Sequence, residues 1–315
     1  MYQSRLDAAA FDPEDIHGLR SRIAAETLGE YLRFRQQLTP DFAKVTRDIA
    51  AGYAALVAII AGVWLGGLAA APLGAVLIGY TVAYLQLFIH EAAHFGLAVD
   101  RAANDRLANR LICWQVGTDI ASYRDTHWQH HRSLGAVEDT EVSYRNRLSL
   151  RFIAAMITGV HAVRVFLSRE TAGKPTGARG LPRPLLIGVA AHVLILTVLT
   201  AFVSWTCALA WVAGMGVFFP LFATLRQLLE HRPLTGQAKR GAVTRMFCSG
   251  PFSSTFGAAG FNRHMLHHLE PQVSYTRLGD LEAYLMTTSA SDEIEARRTS
   301  YWRAFLALIA SDRRG

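Results

Sequence analysis

Two long uncharged stretches constrain the fold of this chain more than any other feature. Residues 49–89 and 185–225 contain no Asp, Glu, Lys or Arg. Each stretch is about twice the roughly 20 residues that one transmembrane helix requires. Turn-forming residues lie near the middle of each, so each is predicted to form a helical hairpin of two spans. The predicted spans are about residues 49–67, 72–89, 185–203 and 205–225.

The composition supports a bilayer as the solvent for part of the chain. Hydrophobic residues make up 51% of the sequence and charged residues only 18%, which leaves too few polar side chains for a soluble surface. The net charge of +7 comes from scattered Lys and Arg without an aromatic-basic motif, so no nucleic-acid partner is predicted. Both hairpin turns lack Lys and Arg, whereas the segments outside the hairpins are rich in them. The positive-inside rule therefore predicts four spans with both termini cytoplasmic.

The cysteines and the N-terminal residues are consistent with this location. Cys113, Cys207 and Cys248 lie far apart and form no CxxC motif, which is typical of a reducing compartment. The first 47 residues carry charges throughout and lack a hydrophobic core with a cleavage site. A removable signal peptide is therefore not expected.

The remaining segments define the predicted domain organisation. Residues 1–47 are predicted to form an N-terminal amphipathic cytoplasmic segment, with one or two helices over residues 13–37 on the membrane or on the catalytic domain. Residues 48–290 are the predicted membrane domain, including a Gly/Pro/basic connector over residues 171–184, and residues 291–315 are the predicted cytoplasmic tail.

Residues 148–167 are apolar enough to resemble another span, but Arg151, His161 and Arg164 interrupt them. A central Arg costs about 2.5 to 3.5 kcal/mol even on the insertion scale, so an interfacial helix is expected instead. The distinction matters because a span here would place the later histidines on the opposite side of the membrane from the earlier ones.

Eight of the twelve histidines lie in three short clusters, which are residues 90–94 (HEAAH), 127–131 (HWQHH) and 264–268 (HMLHH). Histidines spaced by three or four residues share one face of a helix, and neutral imidazole binds Zn, Fe, Cu and Ni. Eight such ligands exceed what one ion accepts, so two ions are predicted. His231 follows the second hairpin and is a plausible ninth ligand.

Other residues near the clusters have more than one interpretation. Glu91 and Glu230 flank predicted ligands and could accept a ring N–H or remain solvated. His161 and His192 are expected to be structural, and His17 is expected to be solvated.

The three clusters resemble the histidine boxes of the membrane fatty acid desaturase superfamily, in its bacterial form. The pattern HxxxH, HxxHH and HxxHH is supported by Leu225-Arg226 with Glu230-His231-Arg232, by Asn262 before the third box and by Leu269-Glu270-Pro271 after it. Two positions depart from the family: Glu270 stands where many members have Phe, and Ala92 stands where bulkier residues or Cys occur. Neither is a predicted ligand, so they bear on the substrate more than on the chemistry.

The uncharged stretches and the distribution of Lys and Arg predict an all-α integral membrane fold with two transmembrane hairpins, interfacial helices and a histidine-box cap on the cytoplasmic side. With the resemblance to bacterial members, the expected location is the bacterial inner membrane. The resemblance also implies the site's chemistry, which is that of a non-haem site of two iron ions that uses O2 as co-substrate. In the family, an Asn near the third box can reach a metal-bound water, and Asn262 is the matching residue in this chain. The ligands implied by the family are His90, His94, His127, His130, His131, His264, His267 and His268, with His231 as a further ligand.

The electrons that such a reaction needs are expected from a separate protein. The sequence contains no haem motif, flavin fingerprint or iron–sulfur cysteine set, so a ferredoxin-type or rubredoxin-type donor is predicted. Basic residues could dock an acidic carrier or contact lipid headgroups. They are Arg101, Arg106, Arg110, Arg124 and Arg132.

The predicted function is an oxidoreductase that introduces a double bond into the acyl chain of a lipid or carrier-bound fatty acid. The alternative within the superfamily is a hydroxylase or ketolase acting on a carotenoid, sphingoid or other lipid chain. A non-catalytic membrane metal-binding or transport protein and a di-zinc hydrolase are the hypotheses of other classes. The apolar spans disfavour ion transport because, apart from His192, they offer no path of ionisable side chains across the lipid.

Overall fold

The computed structural model describes residues 14–136, 138–141, 143–171, 181–232 and 244–313. Within these residues the chain is mainly helical and divides into two compact units. The first unit, called the cap unit below, comprises Met1–Asp41, His127–Leu148 and Arg226–Gly315. The second, called the apolar unit, comprises Phe42–Thr126 and Ser149–Leu225. The predicted domain boundaries at residues 47 and 290 stay predictions, and most of the predicted connector at 171–184 lies outside the described residues.

The helices are numbered here in chain order. They are α1 (Glu14–Glu26), α2 (Glu30–Gln37), α3 (Phe42–Ala93), α4 (Arg101–Leu111), α5 (Ile120–Arg132), α6 (Leu150–Ile157), α7 (Val160–Thr171), α8 (Arg183–Val198), α9 (Trp205–Ala213), α10 (Phe219–His231), α11 (Pro251–Phe256), α12 (His264–Leu269), α13 (Leu278–Leu285), α14 (Ala290–Ala296) and α15 (Tyr301–Arg313). Short 3-10 turns occupy Cys113–Val116, Ser143–Arg145, Phe261–Arg263 and Tyr275–Arg277, and π-helical turns occupy Leu199–Val203 and Gly214–Phe218. Two short strands, β1 (Met246–Phe247) and β2 (Arg298–Thr299), pair in parallel.

Helix α3 contains the first uncharged stretch and is interrupted near its middle. Gly67 has φ 56° and ψ −142°. This backbone conformation is non-helical, and residues that carry a Cβ rarely adopt it. Beyond this break the chain returns, because the Tyr84 hydroxyl donates a hydrogen bond of 2.9 Å to the Asp48 carbonyl. The two halves of α3 therefore lie side by side, with the reversal at the position where the sequence predicts the first turn.

The second uncharged stretch forms α8, α9, α10 and the two π-helical turns. Ser204 separates the first part from the second: it has an extended backbone, and its side chain accepts from the Thr206 N–H at 3.2 Å. In the described residues, three helices are long and apolar enough to cross a membrane, and they are Phe42–Ala93, Arg183–Val203 and Trp205–His231.

Glycine allows close packing within the apolar unit. A Cβ placed on Gly79 of α3 would lie 2.4 Å from the Phe218 Cβ and 2.7 Å from the Phe219 backbone nitrogen. Backbone cannot move aside as a flexible side chain can, so only glycine fits this contact. Gly62, also on α3, has open space around its Cβ position and no such requirement.

The apolar segment 148–167 does not form one long helix. It consists of α6 and the start of α7, which are separated at Gly159, where φ is 71°. The expectation of a single interfacial helix was wrong in this respect, since the glycine breaks the helix. His161 is buried and packs edge-on against Phe152 at 4.8 Å between ring centroids.

Helices α1 and α2 belong to the cap unit and pack against its C-terminal helices. Leu19, Ile23 and Tyr31 are fully buried in a core that also contains Met265 and Leu281. The sequence left open whether these helices lie on the membrane or on the catalytic domain, and their apolar face is buried on the cap. The first thirteen residues of the predicted N-terminal segment lie outside the described part of the chain.

A charged network joins three elements of the cap unit. Glu282 on α13 accepts hydrogen bonds from the Arg263 Nε at 2.6 Å and from an Arg298 amino group of β2 at 2.9 Å. Burial alone raises the pKa of Glu282, but these two guanidinium groups outweigh it and leave the pKa below its ordinary value. The network ties the turn before α12 to the strand ladder.

Candidate metal centre

Helix α5 carries the second histidine box on one face. His127, His130 and His131 are spaced by three and four residues, so their rings project in similar directions. The Nε2 atoms of His127 and His131 face each other at 3.0 Å. His127 and His130 are almost fully buried, at 2% and 1% exposure. Two of the three rings of the box are therefore buried, and the His131 ring is half-buried.

Helix α12 carries the third box and is buried along its whole length. It follows the 3-10 turn Phe261–Arg263 and ends at Leu269, with Glu270 as its C-cap. The His268 and His264 Nε2 atoms lie 3.3 Å apart, and the His267 Nε2 lies 3.0 Å from the His131 Nε2. The second and third boxes, far apart in sequence, thus meet directly.

His231 joins the same group from the C-terminal end of α10. Its Nε2 lies 2.8 Å from the His264 Nε2, and its ring centroid is 4.8 Å from that of His130. The sequence placed His231 as a plausible ninth ligand because it directly follows a hairpin. Its position among the other rings agrees with that hypothesis.

The ring nitrogens of the cap unit form two adjacent groups. In one, the candidate ligand atoms of His127, His131 and His267 all lie within 4.8 Å of one another. In the other, those of His130, His231 and His268 do so. Such a geometry suits two neighbouring ions better than one.

The buried rings are also in the protonation state that a metal needs. Burial, followed by repulsion from neighbouring imidazoles, holds the pKa values of His264 and His268 well below their ordinary range. Neutral imidazoles bind transition metals, whereas protonated ones do not. The donor set therefore fits a pair of non-haem ions.

The first box lies in the apolar unit, at the C-terminal end of α3. His90 is buried, His94 is half-buried, and their ring centroids lie 5.2 Å apart. Arg124 fixes this helix end, because its guanidinium donates to the Ala93 carbonyl at 3.1 Å and to the Ala92 carbonyl at 3.2 Å. Asp105 in turn pairs with Arg124. Both rings of the first box are thus presented from a fixed helix end.

Asp139 orients the second box, and the sequence analysis did not single it out as a site residue. It is 2% exposed and lies 2.8 Å from the His130 Nδ1. The Tyr144 hydroxyl donates to it at 2.6 Å, and the Gly135 and Glu141 N–H groups donate at 3.0 and 2.9 Å. Burial alone raises the pKa of Asp139, but these contacts outweigh it and lower the pKa. The ionised carboxylate accepts the His130 Nδ1–H, so the Nε2 lone pair points away from Asp139.

Glu141 lies near the neighbouring candidate ligand His127, at a longer distance than that between Asp139 and His130. Its carboxylate lies 3.7 Å from the His127 Nδ1 and accepts from the Gln227 side chain at 3.3 Å. Burial alone raises the pKa of Glu141. The surrounding histidines, His130 first, lower it by more than burial raises it, so the pKa of Glu141 lies well below its ordinary range. One loop after α5 thus supplies a carboxylate to each of two candidate ligands.

Arg245 is a second residue that the sequence analysis missed. It is 3% exposed, and its guanidinium donates to the Leu229 carbonyl at 2.5 Å and to the Arg232 carbonyl. These are the carbonyls at the end of α10, which carries His231. The Arg245 carbonyl accepts from the Met265 N–H at 3.1 Å, so the same residue also contacts α12. Burial lowers the pKa of Arg245 to about 10, at which it remains a cation near neutral pH.

Glu91, Glu230 and Asn262, which the sequence predicts to lie beside the metal ligands, have different surroundings. Glu230 is buried and pairs with Arg226 at 3.3 Å. Glu91 is buried beside Gly96, where a Cβ would lie 2.2 Å from the Glu91 Oε1. Asn262 lies in the 3-10 turn before α12, and its N–H donates to the Gly257 carbonyl at 2.8 Å. Their roles beside a metal stay predictions.

His192 has a structural environment within the apolar unit. Its Nε2 lies 3.0 Å from the Gln115 carbonyl, and the Trp211 indole N–H donates to its Nδ1 at 3.3 Å. Both ring nitrogens are therefore engaged by hydrogen bonds. This agrees with the expectation that His192 is structural.

The comparison with protein families decides the class of the chain. The sequence matches the family model described as Fatty acid desaturase over residues 67–302, which is well over half of the chain. The chain belongs to the fatty acid desaturase family. The matched region contains all three histidine boxes and His231, so the resemblance seen in the motifs is confirmed over their whole extent. No curated protein and no solved structure matches the chain. As a family member with histidine clusters and long apolar helices, the chain is a membrane protein of oxidoreductase type.

Proposed function

We propose that this desaturase family member is a di-iron enzyme that uses O2 to introduce a double bond into the acyl chain of a lipid or carrier-bound fatty acid. The observation that carries the proposal is the convergence of imidazoles from α5, α10 and α12 in the cap unit. The overall reaction converts –CH2–CH2–, O2, two electrons and two protons into –CH=CH– and two water molecules.

The proposed ligands are the eight histidines of the three boxes together with His231, nine in all. His90 and His94 would complete the set, as the family pattern implies, with Asn262, Glu91 and Glu230 in supporting positions. Bound iron would supply the reduction of O2 needed to break an unactivated C–H bond. Residues of the chain would orient the ligands: Asp139 holds the His130 ring in one tautomer, and Arg245 holds the end of the helix that carries His231.

The proposed topology has four spans, with the break in α3 and the reversal at Ser204 as hairpin turns outside the cytoplasm. The active site and both termini would then be cytoplasmic, in the inner membrane of a bacterium. This arrangement is supported by the distribution of Lys and Arg. It would let an acyl chain approach from the lipid while O2 and electrons reach the site at the membrane edge.

The proposed electron donor is a separate acidic carrier of ferredoxin or rubredoxin type. Helix α4 exposes Arg101, Arg106 and Arg110, whereas Arg124 is engaged by Asp105. Arg106→Gln together with Arg110→Gln should raise the KM for the carrier without changing kcat, and this effect should shrink at high salt. An unchanged KM at low salt would remove α4 as the docking surface.

Expression in a host that lacks this chain, followed by mass spectrometry of its lipids, tests the reaction. Loss of two hydrogens from an acyl chain supports desaturation, whereas gain of an oxygen atom favours the hydroxylase or ketolase alternative. His267→Ala should abolish the new product. His161→Gln is the matched control, since His161 lies outside the histidine groups and should leave the product in place.

A further inference from the structure

The residue directly after the third box has an unusual environment. Glu270 is the C-cap of α12, and its N–H donates to the Leu266 carbonyl at 2.9 Å. Its side chain is only 1% exposed. A buried carboxylate is costly unless cations and donors surround it, so its partners must be defined.

Within the described part of the chain, the side chains that contact the Glu270 carboxylate come from the two N-terminal helices, α1 and α2. The Tyr31 hydroxyl donates to Oε1 at 2.8 Å, and the Arg20 Nε lies 3.0 Å from the same oxygen. The Arg35 guanidinium donates to Oε2 at 2.7 Å. Two cations and one hydroxyl therefore hold both oxygens of a single carboxylate.

The Tyr31 hydroxyl stays protonated near neutral pH and can donate its hydrogen bond to Glu270. Burial, and then the negative charge of Glu270, raise the pKa of Tyr31, so the phenol keeps its proton. The ring itself is buried in the core with Ile23 and Met265. The contact is therefore part of a packed interior rather than a mobile surface pair.

Other contacts fasten the same segment at separate places. The Glu26 carboxylate accepts from the Ser289 N–H at 3.0 Å, and the Asp41 N–H donates to the Thr276 hydroxyl at 3.0 Å. These contacts attach α1 and the residues after α2 to the C-terminal part of the cap, but they do not touch α12. They provide matched controls for the contact at Glu270.

We propose that α1 and α2 act as a positioning clamp on the third histidine box. The clamp consists of Arg20, Tyr31 and Arg35, and it acts through Glu270 to fix the end of α12 and the aim of His267 and His268. Glu270 is thus a positioning residue and not a metal ligand. The clamp deepens the proposed function, because the histidines it holds are the proposed ligands. It gives the departure from the family at position 270 a physical reason, since a Phe could not receive these three donors.

The test measures metal binding by the purified full-length protein, with Co2+ as the probe and a chelator as competitor. Glu270→Gln keeps the shape of the side chain but removes its charge, and Tyr31→Phe removes one hydroxyl while keeping the ring in the core. Loss of a group hydrogen-bonded directly to a ligand typically costs 10- to 100-fold in metal affinity. Glu270 acts through the end of α12 instead, so Glu270→Gln should weaken Co2+ binding measurably but by a smaller factor than that, and it should alter the cobalt visible spectrum. Tyr31→Phe should change both in the same direction by a smaller factor, and Arg35→Lys should retain most of the wild-type affinity.

Glu26→Gln is the control, because it makes the same charge change at the other attachment of α1. It should leave the cobalt spectrum and affinity as in the wild type. Wild-type affinity and spectrum in both Glu270→Gln and Tyr31→Phe would overturn the clamp, as would an equal change in Glu26→Gln. Since these readouts need no turnover, the clamp would stand if the variants responded as expected but the wild type formed no desaturated product.

Discussion

Replacement of Asp139 by Asn is the sharpest test of how the second box is held. The carboxylate receives four contacts, from the His130 ring, the Tyr144 hydroxyl and two backbone N–H groups, at 2.6 to 3.0 Å. An amide offers one acceptor oxygen and turns its NH2 group toward donors, so about half of these contacts are lost. Hydrogen bonds to a charged group contribute about 1.5–3 kcal/mol each, so the loss of two contacts should lower the free energy of unfolding by about 3–6 kcal/mol.

The loss should extend to metal binding, because His130 would no longer be held in one tautomer. Affinity for Fe2+ or Co2+, measured by chelator competition, should fall about 10- to 100-fold. Asp125→Asn is the matched control, since Asp125 lies on the same helix and is exposed. If Asp139→Asn bound metal as tightly as the wild type, or if Asp125→Asn lost as much, the orienting role of Asp139 would be refuted.

Three further variants probe other parts of the molecule. Arg245→Met removes the two hydrogen bonds from the buried guanidinium to the Leu229 and Arg232 carbonyls, so the free energy of unfolding, measured by thermal unfolding, should fall by about 2–4 kcal/mol. Gly79→Ala should cost about 1–3 kcal/mol in the same assay through overpacking, whereas Gly62→Ala should be neutral or stabilising. The lowered pKa of Glu282 means that its stabilising effect is present above its unfolded pKa of about 4.3 and is lost as the pH falls through the folded value. Glu282→Gln should therefore have a lower melting temperature than the wild type at pH 6. The difference between the two melting temperatures should shrink as the pH falls towards 3.5.

The sequence was most informative where chemistry depends on local spacing. The second and third boxes lie on helices as predicted, since HxxHH places its rings on one helical face. His231 could be proposed because it directly follows an apolar stretch, and it lies beside His264. The uncharged stretches likewise predicted long helices, and the glycine near the middle of the first marks its break.

The supporting contacts could not be predicted in the same way. Asp139 and Arg245 lie in irregular segments, and their partners depend on how distant elements pack. The broken helix at Gly159 was missed because the apolar run suggested continuity more strongly than one glycine suggested a break. Glu270 was noticed only as a departure from the family, and its reason lies in two arginines more than two hundred residues earlier.

The metal content of the purified full-length protein tests the central claim most directly. Elemental analysis of protein prepared under reducing conditions should give two iron ions per chain. The double variant His130→Ala with His267→Ala removes one ring from each histidine group, so it should bind little or none. A wild-type protein that carries stoichiometric zinc while active, or that binds no transition metal at all, would contradict the account.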